Sequence, residues 1–193
     1  MQDRIRKIFD ESRSVARQAE EHLSGRVQQA VELILDCYAR DGGVLVFGNG
    51  GSASDAQHIA CELVGRFMRE RPGLRAQALT ADASTVTSIA NDYGYEAIFA
   101  RQVEALGRPG DVAIGLSTSG NSTNVVAALA AARRSGLRTI ALTGEGGGQC
   151  AALADVLLDV PSTCTPRVQE AHAILYHTLC ELVEAGVCQR NQG

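Results

Sequence analysis

The sequence predicts an α/β fold built on a parallel sheet with helices covering both faces. Two observations carry this reading. Short β-rich apolar runs alternate with segments of helical period, the pattern of repeated strand-helix units. Residues 44–47 form a short apolar run and the other runs are mostly apolar, as strands covered on both faces require.

Taken in order, the first 40 residues read as two helices. Ile5, Ile8, Phe9, Ser12, Val15 and Ala19 recur at helical spacing, Ser24 and Gly25 mark an expected break, and Val27, Val31, Ile34, Leu35 and Tyr38 carry the second pattern. The first helix lies outside the repeating units, so its apolar stripe needs another surface, and a second subunit is the favoured one. From Gly42 the period changes. Residues 44–47 form a strand that ends in Gly48-Asn49-Gly50-Gly51, and a helix follows over about residues 52–69. Four more strands are expected at residues 76–79, 112–116, 139–142 and 156–160, giving five in all. Between them, residues 85–90 read as helical with Asn91 and Asp92 as the stop, Pro109 and Gly110 bring the chain back into the sheet, and the Ala-rich stretch 124–134 is a close-packing helix. Residues 161–166 form the last loop, residues 168 to about 185 a terminal helix, and the tail after Cys188 is expected to fray. Ligands of such a sheet sit beyond the carboxyl ends of the strands.

The bulk numbers bound the function. A chain of 193 residues, 45% hydrophobic, fits one domain over residues 1–193 with a large core. Its net charge of -4, 4% aromatic content and lack of Trp argue against nucleic acid or an anionic membrane as partner. Residues 1–10 are charged and no apolar stretch reaches the length of a membrane span, so the expected compartment is the cytoplasm. The cysteines at 37, 61, 150, 164, 180 and 188 form no Cys-x-x-Cys pair and read as reduced thiols.

Two loops and two helices carry the candidate chemistry. Ser117-Thr118-Ser119-Gly120-Asn121-Ser122 places hydroxyls between a strand and a helix start, where unsatisfied backbone N–H groups and the helix dipole favour a phosphate monoester. Turn formation and helix capping explain the same residues more blandly. The Lys of a nucleotide-binding phosphate loop and the Gly-x-Gly-x-x-Gly fingerprint are both missing, which disfavours nucleotide and nicotinamide ligands. In the first loop, Gly50 and Gly51 let backbone approach a ligand, and Asn49 can donate to or accept from a sugar hydroxyl. His58 and Glu62 are four apart on one helix face, a spacing that suits a divalent ion, proton transfer or a simple surface pair. Gln169 and His177 on the last helix are separated by about 80° around the axis and about 12 Å along it. His172 is assigned to packing or a subunit contact. Arg66, Arg69 and Arg71 stay unassigned.

Together these residues carry a resemblance. Phe47-Gly48-Asn49-Gly50-Gly51-Ser52 with Ala56-Gln57-His58 and Glu62, then Ile89-Ala90-Asn91-Asp92, then the 117–122 loop, then Arg167-Val168-Gln169-Glu170 with His177, resemble the phosphoheptose isomerases of the sugar isomerase domain superfamily. The likeness spans nearly the whole chain. It implies a three-layer αβα sandwich with a five-stranded parallel sheet of flavodoxin-like order, preceded by extra N-terminal helices that serve oligomerisation. It implies a homotetramer acting on a phosphorylated seven-carbon sugar, converting sedoheptulose 7-phosphate to D-glycero-D-manno-heptose 7-phosphate for lipopolysaccharide and related glycans. The matching substrate contacts are Asn49, Gly50, Gly51, Glu62, Asn91, Asp92, Ser117, Thr118, Ser119, Ser122 and Gln169, and the matching catalytic pair is Glu62 and His177. It also implies one Zn2+ per subunit on His58, Glu62, Gln169 and His177. A related branch of the fold is a tetrameric binder of a replication initiator, and a sugar-phosphate sensor is a third reading. The retained Glu62 and His177 favour the enzyme.

Overall fold

The structure is a computed structural model and describes residues 1–190. Its elements run α1 (Gln2–Ala39), β1 (Val44–Gly48), α2 (Gly51–Val64), β2 (Ala76–Ala78), α3 (Ala83–Tyr93), α4 (Ala100–Leu106), β3 (Val112–Ser117), α5 (Thr123–Arg134), β4 (Arg138–Thr143), β5 (Val156–Asp159) and α6 (Thr165–Arg190). Short 3-10 turns cover Tyr95–Ala97 and Gly148–Leu153.

All five strands are parallel, in the order β2-β1-β3-β4-β5. Side chains alternate across this sheet. Val44, Val46, Val112, Ile114, Leu116, Ile140 and Leu142 face a core shared with α1, α2 and α6. Leu45, Phe47, Ala113 and Ala141 face the opposite core with α4 and α5, where Ala128, Ala131 and Ala132 let α5 lie close to the strands. The result is the three-layer sandwich expected from the sequence. The chain leaves β1 toward β2 on one side and resumes at β3 on the other. The carboxyl ends of β1 and β3 therefore flank the crevice where such folds take ligands. Register puts Gly48 beside Leu116 and Ser117 beside Thr143, so the loops that follow these strands are neighbours.

Four boundaries differ from expectation. The break at Ser24 and Gly25 does not occur, and residues 2–39 form one helix. Ala19, Leu23, Val27, Ala30, Val31, Ile34 and Cys37 make a continuous buried stripe through that point, and burial against the core outweighs the cost of about 1 kcal/mol for a helical glycine. Helix α2 stops at Val64 rather than near Arg69. Buried Arg71 pairs with buried Glu184 at 3.3 Å and donates to the carbonyls of Glu62, Leu63, Gly65 and Pro72. Glu184 in turn accepts the backbone N–H groups of Phe67, Met68 and Arg69 at 2.7 to 2.8 Å. This charged clamp holds the chain after α2 in a loop. Helix α3 continues through Asn91 and Asp92 to Tyr93, and Gly94 at φ 89 ends it. Helix α6 begins three residues early and runs to Arg190, so Gln189 and Arg190 are helical, and the rest of the tail lies outside the described residues.

The first third of α1 stands apart, with Ile5, Ile8 and Phe9 all exposed. Among the described residues, no helix is long and apolar enough to cross a membrane. All six cysteines are free, with Cys37, Cys150 and Cys180 buried.

Candidate active site

The serine loop is built where β3 hands over to α5. Ser117 is buried, and its hydroxyl lies 2.9 Å from that of Ser122 and 3.5 Å from that of Ser119. Ser122 holds the N-cap position of α5, yet its side chain makes no capping bond, because the hydroxyl is turned toward Ser117. The loop therefore gathers three hydroxyls beside a helix start, where the dipole is positive.

Backbone ties fix its shape. The carbonyl of Thr118 accepts the Gly144 N–H at 3.0 Å, and the carbonyl of Gly120 accepts the Cys150 N–H at 3.0 Å. Gly120 has φ 66, and a Cβ there would collide with the backbone carbonyl of Gly147. Gly146, Gly147 and Gly148 follow at φ 76, 72 and 51, a left-handed arc that glycine adopts without penalty. The Asn121 side chain closes the contact, donating to the Ser119 carbonyl at 2.9 Å and accepting from the Gln149 N–H at 3.0 Å.

The glycine loop after β1 meets this structure through one side chain. Asn49 exchanges two hydrogen bonds of 2.8 Å with Asn124, which is buried in the first turn of α5. Gly50 sits at φ 57 and Gly51 opens α2. A methyl group at Gly51 would strike the Gln169 amide, so Gln169 of α6 reaches the mouth of this loop.

Two turns along α2, the acid-base residues come together. His58 Nε2 is 3.1 Å from Glu62 Oε1 and 3.5 Å from His177 Nε2, and the two imidazoles meet edge to face at 4.9 Å. The Glu62 side chain is 19% exposed, which keeps it open to a ligand but largely out of bulk water. Behind His58 stands Tyr176, whose hydroxyl is 3.3 Å from His58 Nδ1 and donates to Asp55 at 3.4 Å. Burial raises the Asp55 carboxyl above its ordinary value against the opposing bond from Tyr176, and burial, helped by Asp55, pushes the Tyr176 phenol up to about 12. The phenol therefore remains a protonated donor at neutral pH.

The zinc expectation is overturned. Among the described residues, no group of three or more His, Cys, Asp or Glu side chains is disposed to hold a metal ion. The donors expected to converge are spent on one another: Glu62 and His177 both approach the same nitrogen of His58, and the Gln169 amide lies against Gly51.

Asn91 and Asp92 are exposed on α3 and pair with each other at 2.8 Å. Asp92 borders a hollow of about 490 Å³ shared with Gln77, Asp82 and Arg101, and among the described residues no hydrogen bond joins the pair to the serine loop or to His58. His172 is fully buried and bonds the Thr143 carbonyl at 3.1 Å, a packing role. Sequence reading missed Asn124, Asp55 and Tyr176. Asp55 lies one turn before His58 on the same face of α2, a usable signal, whereas Asn124 and Tyr176 meet their partners only through the tertiary fold.

Comparison with known proteins agrees with this architecture. The SIS domain family model matches residues 7–144. The phosphoheptose isomerase of Aquifex aeolicus is 51% identical over 191 residues, covering 99% of this chain and all of that protein. The solved phosphoheptose isomerase of Neisseria gonorrhoeae superposes with a TM-score of 0.90 at 48% identity, covering 95% of this chain and 98% of that one. The one from Francisella tularensis gives a TM-score of 0.92 at 37% identity, with 95% and 97% covered. With the expected sandwich, a serine loop after β3, a Glu62-His58-His177 cluster on α2 and α6, and relatives matching it end to end, the chain belongs to the phosphoheptose isomerase family of SIS domain proteins.

Proposed function

We propose that the chain is an aldose-ketose isomerase that converts sedoheptulose 7-phosphate to D-glycero-D-manno-heptose 7-phosphate. The observation that carries this reading is the Glu62-His58-His177 cluster, formed where α2 and α6 pack together.

Ser117, Thr118, Ser119 and Ser122, with the first turn of α5, take the phosphate. Its binding energy, spent far from the reacting carbons, aligns the other end of the sugar. Asn49, Gly50, Gly51 and Gln169 serve as further sugar contacts, and Asn91 and Asp92, exposed on α3, are assigned the same role on the family resemblance alone. Glu62 removes a proton from C1 of the ketose to form the enediol. His177 delivers a proton to O2 and accepts the one leaving O1, and return of the carbon-bound proton to C2 gives the aldose. His58, touching both groups, holds them in register. General acid-base steps of this kind contribute about 10² to 10⁴ in rate.

Residues 1–193 act as one SIS unit, and we place its assembly as a homotetramer through residues 1–40. The exposed Ile5, Ile8 and Phe9 support this, as does an apolar groove of about 630 Å³ between α1 and α6. The test is incubation of the purified protein with sedoheptulose 7-phosphate and product analysis by NMR. Formation of the aldose, with a molar mass in solution near four chains, is expected. Binding without conversion would leave a sensor.

A further inference from the structure

Asn49 was expected to donate or to accept. The surrounding bonds decide between these. The Val125 backbone N–H can only donate, and it lies 2.9 Å from one terminal atom of the Asn124 carboxamide, which must therefore be the oxygen. That oxygen also accepts from Asn49 Nδ2 at 2.8 Å, so Asn124 Nδ2 must donate back to Asn49 Oδ1, also at 2.8 Å. The hydroxyl of Tyr95, on the 3-10 turn after α3, donates to the same Asn49 oxygen at 3.1 Å. A carboxamide oxygen has two lone pairs, and both are now occupied. One N–H of Asn49 carries no partner among the described residues.

From this network we infer that Asn124 and Tyr95 are positioning residues that lock Asn49 as a single hydrogen-bond donor, so that this end of the site selects an acceptor oxygen of the bound sugar phosphate. The inference rests on the isomerase reading for its ligand, though the lock itself does not. Buried Asn124 ties Asn49 to the first turn of the helix behind the serine loop, so the two loops move as one piece. Tyr95 is 58% exposed, so its ring contributes little to the core and its hydroxyl is the part that matters. Neither residue is reached by reading loops one at a time, because residues 49, 95 and 124 come from three separate segments of the chain.

The test uses the full chain and pairs Tyr95→Phe with Asn49→Ala. A hydrogen bond of this kind corresponds to about a two- to tenfold effect. Tyr95→Phe is expected to raise KM for sedoheptulose 7-phosphate by about that factor, with a smaller change in kcat and an unchanged melting temperature. In the Asn49→Ala background the same substitution should change nothing. An unaltered KM, or the same rise in both backgrounds, overturns the inference. In parallel, solvent exchange of the Asn49 side-chain amide protons, followed by NMR without ligand, should quicken in Tyr95→Phe and further in Asn124→Ala. Exchange that is indifferent to both also overturns it. Should the unaltered protein fail to turn over the sugar, the isomerase reading falls, and the exchange measurement alone decides for or against the lock.

Discussion

The two parts of the candidate site are held by different means. The serine loop keeps its shape through backbone, with the Thr118 and Gly120 carbonyls bonded to Gly144 and Cys150 and a glycine arc pressed against it. The Glu62-His58-His177 cluster is held side chain to side chain across two helices. Backbone suits a task that must be the same in every turnover, the capture of a fixed charge. Side chains suit a task in which protons and charges move. Substitutions at the first part should thus affect capture of the ligand, and those at the second its conversion.

The sharpest way to break this division is Glu62→Gln, expected to lower kcat at least about 10³-fold while melting temperature and substrate affinity stay near their original values. Single-turnover rates and calorimetry check it, and near-normal turnover would remove Glu62 from the base role. His177→Asn should follow closely behind.

Next in size is the clamp beneath this part. Arg71 and Glu184 are both nearly inaccessible, and removing one leaves the other charge buried, so Glu184→Ala should cost about 3–5 kcal/mol in denaturant unfolding. If the loss is under about 1 kcal/mol, the loop after α2 does not depend on the pair.

A third test uses pH. His172 joins the two parts, since α6 carries it and the Thr143 carbonyl it bonds precedes Gly144, which ties down the serine loop. Burial lowers its imidazole from 6.5 to about 4. The unfolded chain takes up a proton as pH falls through 6.5 while the folded chain resists until about 4, so stability is full above 6.5 and declines across that window. The total is about 3 kcal/mol. Unfolding at stepped pH should show this loss, and His172→Gln should abolish most of its pH dependence.

The smallest effect belongs to the backbone-held part. Ser119→Ala should raise KM about tenfold with kcat little changed, since one hydroxyl is lost while the helix start remains. A fall in kcat alone would blur the division.

Much of the sandwich was legible because strand and helix periods are local, and each apolar run in the sequence became a strand within one or two residues. Two of the misjudged boundaries share a cause. Gly25 and the end of α2 are decided by what packs on them, burial against the core in one case and Arg71 with the distant Glu184 in the other. At the candidate site, the i, i+4 spacing of His58 and Glu62 gave their pairing directly, and resemblance supplied His177. The same spacing suggested a metal, and the fold instead turns those groups toward each other. Asn124, Tyr95 and Tyr176 were invisible because a hydrogen bond between residues 49 and 124 leaves no periodic trace.

The glycine arc at residues 146–148 has a consequence for sequence drift. A side chain at Gly147 would strike Leu157 and Ala151, one at Gly148 would strike Asn121, and all three positions sit in left-handed backbone. In a library of random variants the codons for Gly147 and Gly148 should therefore tolerate little replacement and that for Gly146 somewhat more, although the segment carries no reactive group, and this intolerance would mark a mould rather than a catalyst.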